Sequence, residues 1–81
     1  MAHNNLGVLL HDLKHYEEAE KEFREAIRIN PYDAKAHYNL GVLLYDLKRY
    51  EEAEKEYREA IRINPYDAKA HNNLGVLLYD L

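Results

Sequence analysis

The sequence predicts an all-α fold: a right-handed α-solenoid of about two and a half helix-turn-helix units, five helices in all. Composition is the first reason, because Ala, Leu, Glu, Lys and Arg dominate 81 residues that hold only three Gly and two Pro. A repeat of 34 residues is the second, a period that marks stacked helical units. The third is apolar spacing of three and four residues along each segment.

The repeat is close to literal. Ala2-His3 recurs as Ala36-His37 and Ala70-His71, and Leu6 to Leu10 returns as Leu40 to Leu44 and Leu74 to Leu78. The run from Glu25 to Lys35 returns unchanged as Glu59 to Lys69. Units one and two differ at four places: Asn4/Tyr38, His11/Tyr45, His15/Arg49 and Phe23/Tyr57. The units are predicted at 1–33 (lacking its first position), 34–67 and 68–81, the last reduced to its first helix.

Helices are predicted near 2–13, 17–29, 34–47, 51–63 and 68–80. In the complete central unit, Ala36, Leu40, Leu43, Leu44 and Leu47 make one apolar face. Ala53, Tyr57, Ala60 and Ile61 make a second, along a segment otherwise rich in Glu, Lys and Arg. The tight Lys48-Arg49-Tyr50 connection forces the two helices antiparallel. Asn64-Pro65 ends the second helix, since proline lacks an amide donor and restricts the residue before it. Asp67 then supplies an N-cap for the last helix. Glu51 and Glu52 at a helix start and Arg62 near its end suit the macrodipole. Glu51–Lys55 and Glu54–Arg58 add pairs spaced i,i+4.

Glycine inside a helix costs about 1 kcal/mol against alanine. Gly7, Gly41 and Gly75 are therefore expected to admit a closely packed helix, with the small residues Ala53 and Ala60 as partners of Gly41. A phosphate cradle would need free amides in a loop, and here the amides are spent in helix.

With these residues assembled, the chain resembles the tetratricopeptide repeat family. The central unit supplies Leu40, Gly41, Leu44, Ala53, Tyr57, Ala60 and Pro65 of the family pattern. The first supplies Leu6, Gly7, Leu10, Ala19, Phe23, Ala26 and Pro31, and the third Leu74, Gly75 and Leu78. His3, His37 and His71 depart from it, standing where the family usually has Trp. The resemblance implies a non-catalytic scaffold that holds a peptide or protein segment in a groove lined by each unit's first helix. Its carried-over groove residues are Asn4, Asn5, Val8, His11 and Asp12; Lys35, Tyr38, Asn39, Val42, Tyr45 and Asp46; and Lys69, Asn72, Asn73, Val76, Tyr79 and Asp80. Chaperone-binding members grip a C-terminal carboxylate with a basic clamp, echoed here only by the Asn39-type asparagines and by Lys35 and Lys69. Val8, Val42 and Val76 occupy the clamp-asparagine place.

Charge and motif content exclude several rivals. A net charge of −4 with interleaved signs offers no basic stripe for nucleic acid. The longest apolar run, Leu40 to Tyr45, is too short to span a bilayer. No signal peptide is predicted, so a cytoplasmic setting is the expectation. No cysteine is present for a disulfide or thiolate site. The His3/His37/His71 ladder invites a metal, but stacked units stand roughly 8–10 Å apart, too far for shared bonds near 2 Å. Helical packing is the reading for these rings. His11 and His15, spaced i,i+4, make only a weak chelate candidate. Asp12, Asp46 and Asp80 and the Glu17/Glu18 and Glu51/Glu52 pairs lack a nucleophile or cleft and read as solvated faces. No cofactor, metal or catalytic residue is expected. Tyr38, Tyr45 and Tyr79 would offer flat amphipathic contact area on a groove.

The last helix has no second helix after it. Leu74, Leu77, Leu78 and Leu81 are accordingly expected to form an exposed apolar stripe. It would pair two chains as a homodimer, with helix exchange open to such similar units. The alternative is a designed or truncated repeat module whose only property is folding and association.

Overall fold

A computed structural model describes residues 2–81 and contains five α-helices: α1 Ala2–Asp12, α2 Tyr16–Ile29, α3 Ala34–Asp46, α4 Tyr50–Ile63 and α5 Ala68–Asp80. There is no strand among the described residues. Each helix packs on its neighbour in sequence, and α3 also touches α1 and α5 side by side. The result is an α-solenoid stack of 29 × 24 × 17 Å.

Local chemistry sets these boundaries. Asp33 caps α3 by accepting from the Ala36 amide at 3.2 Å, and Asp67 caps α5 by accepting from Lys69 at 3.0 Å and Ala70 at 3.4 Å. The second helices have no side-chain cap; their first turns carry Glu17 and Glu18, or Glu51 and Glu52, against the positive helix end. Asn30 ends α2 in extended geometry and Asn64 ends α4, and each side-chain oxygen accepts from the amide two residues on.

The connection inside each hairpin differs from expectation. Tyr50 is the first residue of α4, and the turn consists of Leu47, Lys48 and Arg49. Lys14 and Lys48 adopt left-handed backbone, φ 64° and 61°. The Arg49 amide reaches the Leu44 carbonyl at 2.9 Å and the Lys48 amide reaches that of Tyr45 at 2.9 Å. This doubly bonded C-terminal motif usually employs Gly or Asn at its left-handed position.

The core runs through the middle of the stack. Phe23, Leu40, Leu43, Leu44, Ala53, Tyr57 and Leu77 are essentially sealed from solvent. Position within the stack decides burial, because the same leucine changes exposure with its neighbours. Leu9 is 53% exposed, whereas Leu43 and Leu77 are sealed by the preceding hairpin. Leu44 is sealed by α4, and its counterpart Leu78, with no second helix beside it, is 44% exposed.

Two sequence expectations are corrected here. Gly41 is not matched to Ala53 and Ala60: a Cβ built on it would lie 2.7 Å from the Tyr57 ring, and one on Gly7 would lie 2.5 Å from Phe23. Both glycines make room for an aromatic side chain on the facing helix. Leu74 and Leu77 are not part of an exposed stripe either, because α5 lays them against α4 and α3, leaving Leu78 and Leu81 outside.

Candidate functional site

The first helices α1, α3 and α5 bring most of the sequence-predicted groove residues to one side of the stack. Asn4, Asn5, Val8, Lys35, Tyr38, Asn39 and Lys69 line a cleft of about 830 Å³, joined by the capping residues Asp33 and Asp67 and by Tyr66. Further along, Val42, Tyr45, Asn73 and Val76 surround a dimple of about 120 Å³ whose floor includes Tyr57.

Polar contacts between successive first helices tie the floor together. Asn73 donates to the Tyr38 hydroxyl at 3.0 Å, His11 meets Asp46 at 2.6 Å, and the Tyr45 hydroxyl donates to Asp80. All three join residues 35 apart, one period plus one residue. Tyr45 also lies against Tyr50, ring centroids 5.4 Å apart, so its ring is held from two sides. The Asp80 contact pushes the Tyr45 phenol above its ordinary value. Tyr79 has no such neighbour and stands 90% exposed at the rim. Asn4 is turned inward, 5% exposed, its amide donating to Asp33 at 2.9 Å, so it stiffens the cleft rather than facing a ligand.

The charges of the groove are unequally engaged. Asp33 and Asp67 are occupied by helix caps, Asp46 by His11 and Asp80 by Tyr45. Lys35 and Lys69 are exposed and form no ion pair among the described residues. Two ammonium groups without an ion-pair partner among the described residues therefore stand at the end of the cleft where α3 and α5 begin, beside the capping carboxylates of Asp33 and Asp67 and two positive helix ends. The apolar Val8, Val42 and Val76 run beside it, and the side-chain amides of Asn39 and Asn73 can pair with an extended backbone.

The histidines do other work. His37 is 8% exposed; its Nδ1 lies 2.7 Å from Glu56 and its Nε2 2.9 Å from the Pro31 carbonyl. With an acceptor at each nitrogen, the doubly protonated ring fits best. The Glu56 hydrogen bond, opposed by burial and aided by Pro31 and the charges of Glu56 and Glu59, raises its pKa. His3 meets Glu22 at 2.7 Å in the same manner. His11 and His15 do not share a helix, since α1 ends at Asp12, and His15 faces Glu18 at 3.5 Å instead. No three His, Asp or Glu side chains converge on a common point among the described residues. No described helix is long and apolar enough to cross a membrane.

Sequence reasoning missed Arg49. It bridges the two hairpins by donating to Glu20 at 2.9 Å and to Glu52 on its own side at 2.5 Å. The only signal was that Arg49 replaces His15, one of four changes between units.

Comparison with known proteins follows the same lines. The tetratricopeptide repeat family model matches residues 1–34 and again residues 15–68. No curated relative matches. The first tetratricopeptide repeat domain of Spaghetti (RPAP3), solved bound to the HSP90 peptide SRMEEVD, is similar with a TM-score of 0.92 at 26% identity, over 96% of this chain and 62% of that one. The Arabidopsis OM64 tetratricopeptide repeat domain has the same fold, with a TM-score of 0.93 at 24% identity, over 98% of this chain and 65% of that one. The chain thus spans less than two thirds of the length of either structure.

Proposed function

This chain belongs to the tetratricopeptide repeat family, and on that premise we propose that it holds an extended protein segment in the cleft formed by α1, α3 and α5. The family is generally a non-catalytic protein-interaction fold, and the similar Spaghetti domain carries a peptide. The units we assign to this scaffold are 1–33, 34–67 and 68–81. Within the groove, Asn5, Asn39 and Asn73 take the segment's backbone, Val8 and Val42 its apolar side chains, and Tyr45, Asp46 and Tyr79 border it. Lys35 and Lys69 take a carboxylate.

The observation that carries this reading is the uneven use of charge. The groove's capping and laddered carboxylates already have partners within the chain, whereas its two lysines form no ion pair among the described residues. An anionic group placed there gains charge-assisted contacts without competing with an internal pair.

Calorimetric titration with the peptide SRMEEVD tests the proposal. Binding is expected to be weak, with Kd on the order of 0.1–1 mM, because valines replace the clamp asparagines. Lys35→Ala combined with Lys69→Ala should weaken it by about tenfold, and raised salt should do the same. Unchanged affinity in the double variant, or no saturable binding, would contradict the proposal.

Leu78 and Leu81, 44% and 62% exposed, favour a second reading. In it, two copies associate through α5 as a homodimer. The mass of the chain in solution decides between one copy and two.

A further inference from the structure

We propose that the dimple between α3 and α5 is the selective subsite of the groove, where the Tyr57 hydroxyl receives a glutamine-type carboxamide side chain. The proposal rests on the groove reading, which supplies the segment that carries that side chain.

Exact repetition would let a segment sit equally well on either unit. Three of the four differences between units one and two remove that ambiguity, and all three fall at this dimple. Asn4, His11 and Phe23 are replaced by Tyr38, Tyr45 and Tyr57. Tyr45 and Tyr57 line the dimple together with Val42, Asn73 and Val76. Tyr38 stands against Tyr57, ring centroids 6.1 Å apart, and its hydroxyl accepts from Asn73 at 3.0 Å.

Two of these three hydroxyls are engaged: Tyr45 donates to Asp80, and Tyr38 accepts from Asn73. Tyr57, 2% exposed, enters neither bond and has no other hydrogen-bond partner among the described residues. The unpaired side-chain atom sealed from solvent is Asn4 Oδ1 and not this hydroxyl, which therefore opens onto the dimple it floors. Burial pushes the Tyr57 phenol up to about 12, with the Asn73 amide pulling the other way, so it is a donor at neutral pH. Asn73 spends its amide on Tyr38, which leaves its oxygen as an acceptor. Two lone pairs on that oxygen can serve both a segment's backbone and its side chain.

The dimple thus combines valine walls, one donor and one acceptor, with no charge. A dry cavity of about 150 Å³ holds a benzene ring, and this one measures about 120 Å³, which suits a narrow chain better than an aromatic side chain. A carboxylate or ammonium would lose its water here without gaining a charged partner. A purely aliphatic chain would cover the Tyr57 donor and leave it unmet, at a cost in free energy. A carboxamide on two methylenes matches every feature. Its oxygen accepts from Tyr57, its nitrogen donates to Asn73, and its methylenes lie between Val42 and Val76.

The test uses the full chain with N-acetylglutamine methylamide and the norleucine analogue, similar in length but without polar atoms in its side chain. Amide shifts of the labelled protein report binding. The glutamine probe should saturate with Kd on the order of 1–10 mM, moving Val42, Asn73 and Val76 while Lys35 and Lys69 stay still. The norleucine probe should bind at least about threefold more weakly, and Tyr57→Phe should abolish that difference. This variant keeps the fold, because Phe23 fills the equivalent place over Gly7. A glutamine preference that survives Tyr57→Phe, or no saturable shift at the three residues up to about 50 mM, would overturn the inference. SRMEEVD has no carboxamide side chain, so its titration judges the groove reading separately. Saturable SRMEEVD binding without a glutamine preference sinks the subsite alone; the reverse result upholds the subsite and sinks the charged end of the groove.

Discussion

At Gly41 helix propensity and packing pull in opposite directions. Alanine in its place would gain about 1 kcal/mol of helix propensity. Its Cβ would also lie 2.7 Å from the ring of Tyr57, which is 2% exposed, and overpacking of this kind costs about 1–3 kcal/mol. Gly75 has the same sequence context without the ring. Gly41→Ala should therefore lower unfolding stability by roughly 1 kcal/mol or more, while Gly75→Ala should raise it by up to about 1 kcal/mol. Urea denaturation of the two variants checks the opposite signs. The sequence made a packing role for these glycines legible, because nothing else explains glycine inside a helix. It left the partner open, since the facing helix offers both small residues and a ring, and only the side-chain direction chooses.

Between elements, His37 joins the turn at Pro31, helix α3 and helix α4. Its ring faces Glu56 and, at longer range, Glu59, which is itself paired with Arg62. The folded-state pKa is raised above the unfolded value near 6.5. Its contribution is therefore fully present below about pH 6.5 and is lost as pH rises through the folded value. Stability should decline from near pH 6.5 upward, and His37→Gln should flatten that decline. Denaturant midpoints across this range, with a proton NMR titration of the ring, check both. The capping aspartates, the Asn-Pro breaks and the Glu54–Arg58 pair could be read from spacing alone, and Arg58 indeed meets Glu54 at 2.9 Å. Glu51–Lys55, equally well spaced, forms no ion pair among the described residues. Contacts between units were not legible. The 35-residue ladder and the Arg49–Glu20 bridge, 29 residues apart, depend on how one hairpin is rotated against the next. A helical period cannot supply that angle. The left-handed Lys48 was hidden as well, because lysine does not advertise that conformation.

At the scale of the molecule, repetition makes equivalent residues unequal. Leu9, Leu43 and Leu77 are one position in three settings, and only Leu9, with no hairpin before it, lies open. Sequence reasoning located the fold because it follows from the period, whereas the groove expectation came with the family resemblance. It erred at Leu74 and Leu77 because a lone first helix still has a preceding neighbour to bury it. The stack also aligns the first helices, so lysines 34 residues apart share one cleft although the overall charge is −4. The claim at the centre of this account is that the aligned face of α1, α3 and α5 is the recognition surface. Amide shift mapping of the labelled chain during titration with SRMEEVD tests it most directly. The predicted result is a set of saturable shifts at Asn5, Lys35, Asn39, Val42, Lys69 and Asn73, with the outer surfaces of α2 and α4 still. Shifts confined to α2 and α4, or no saturable shift at millimolar peptide, would contradict it.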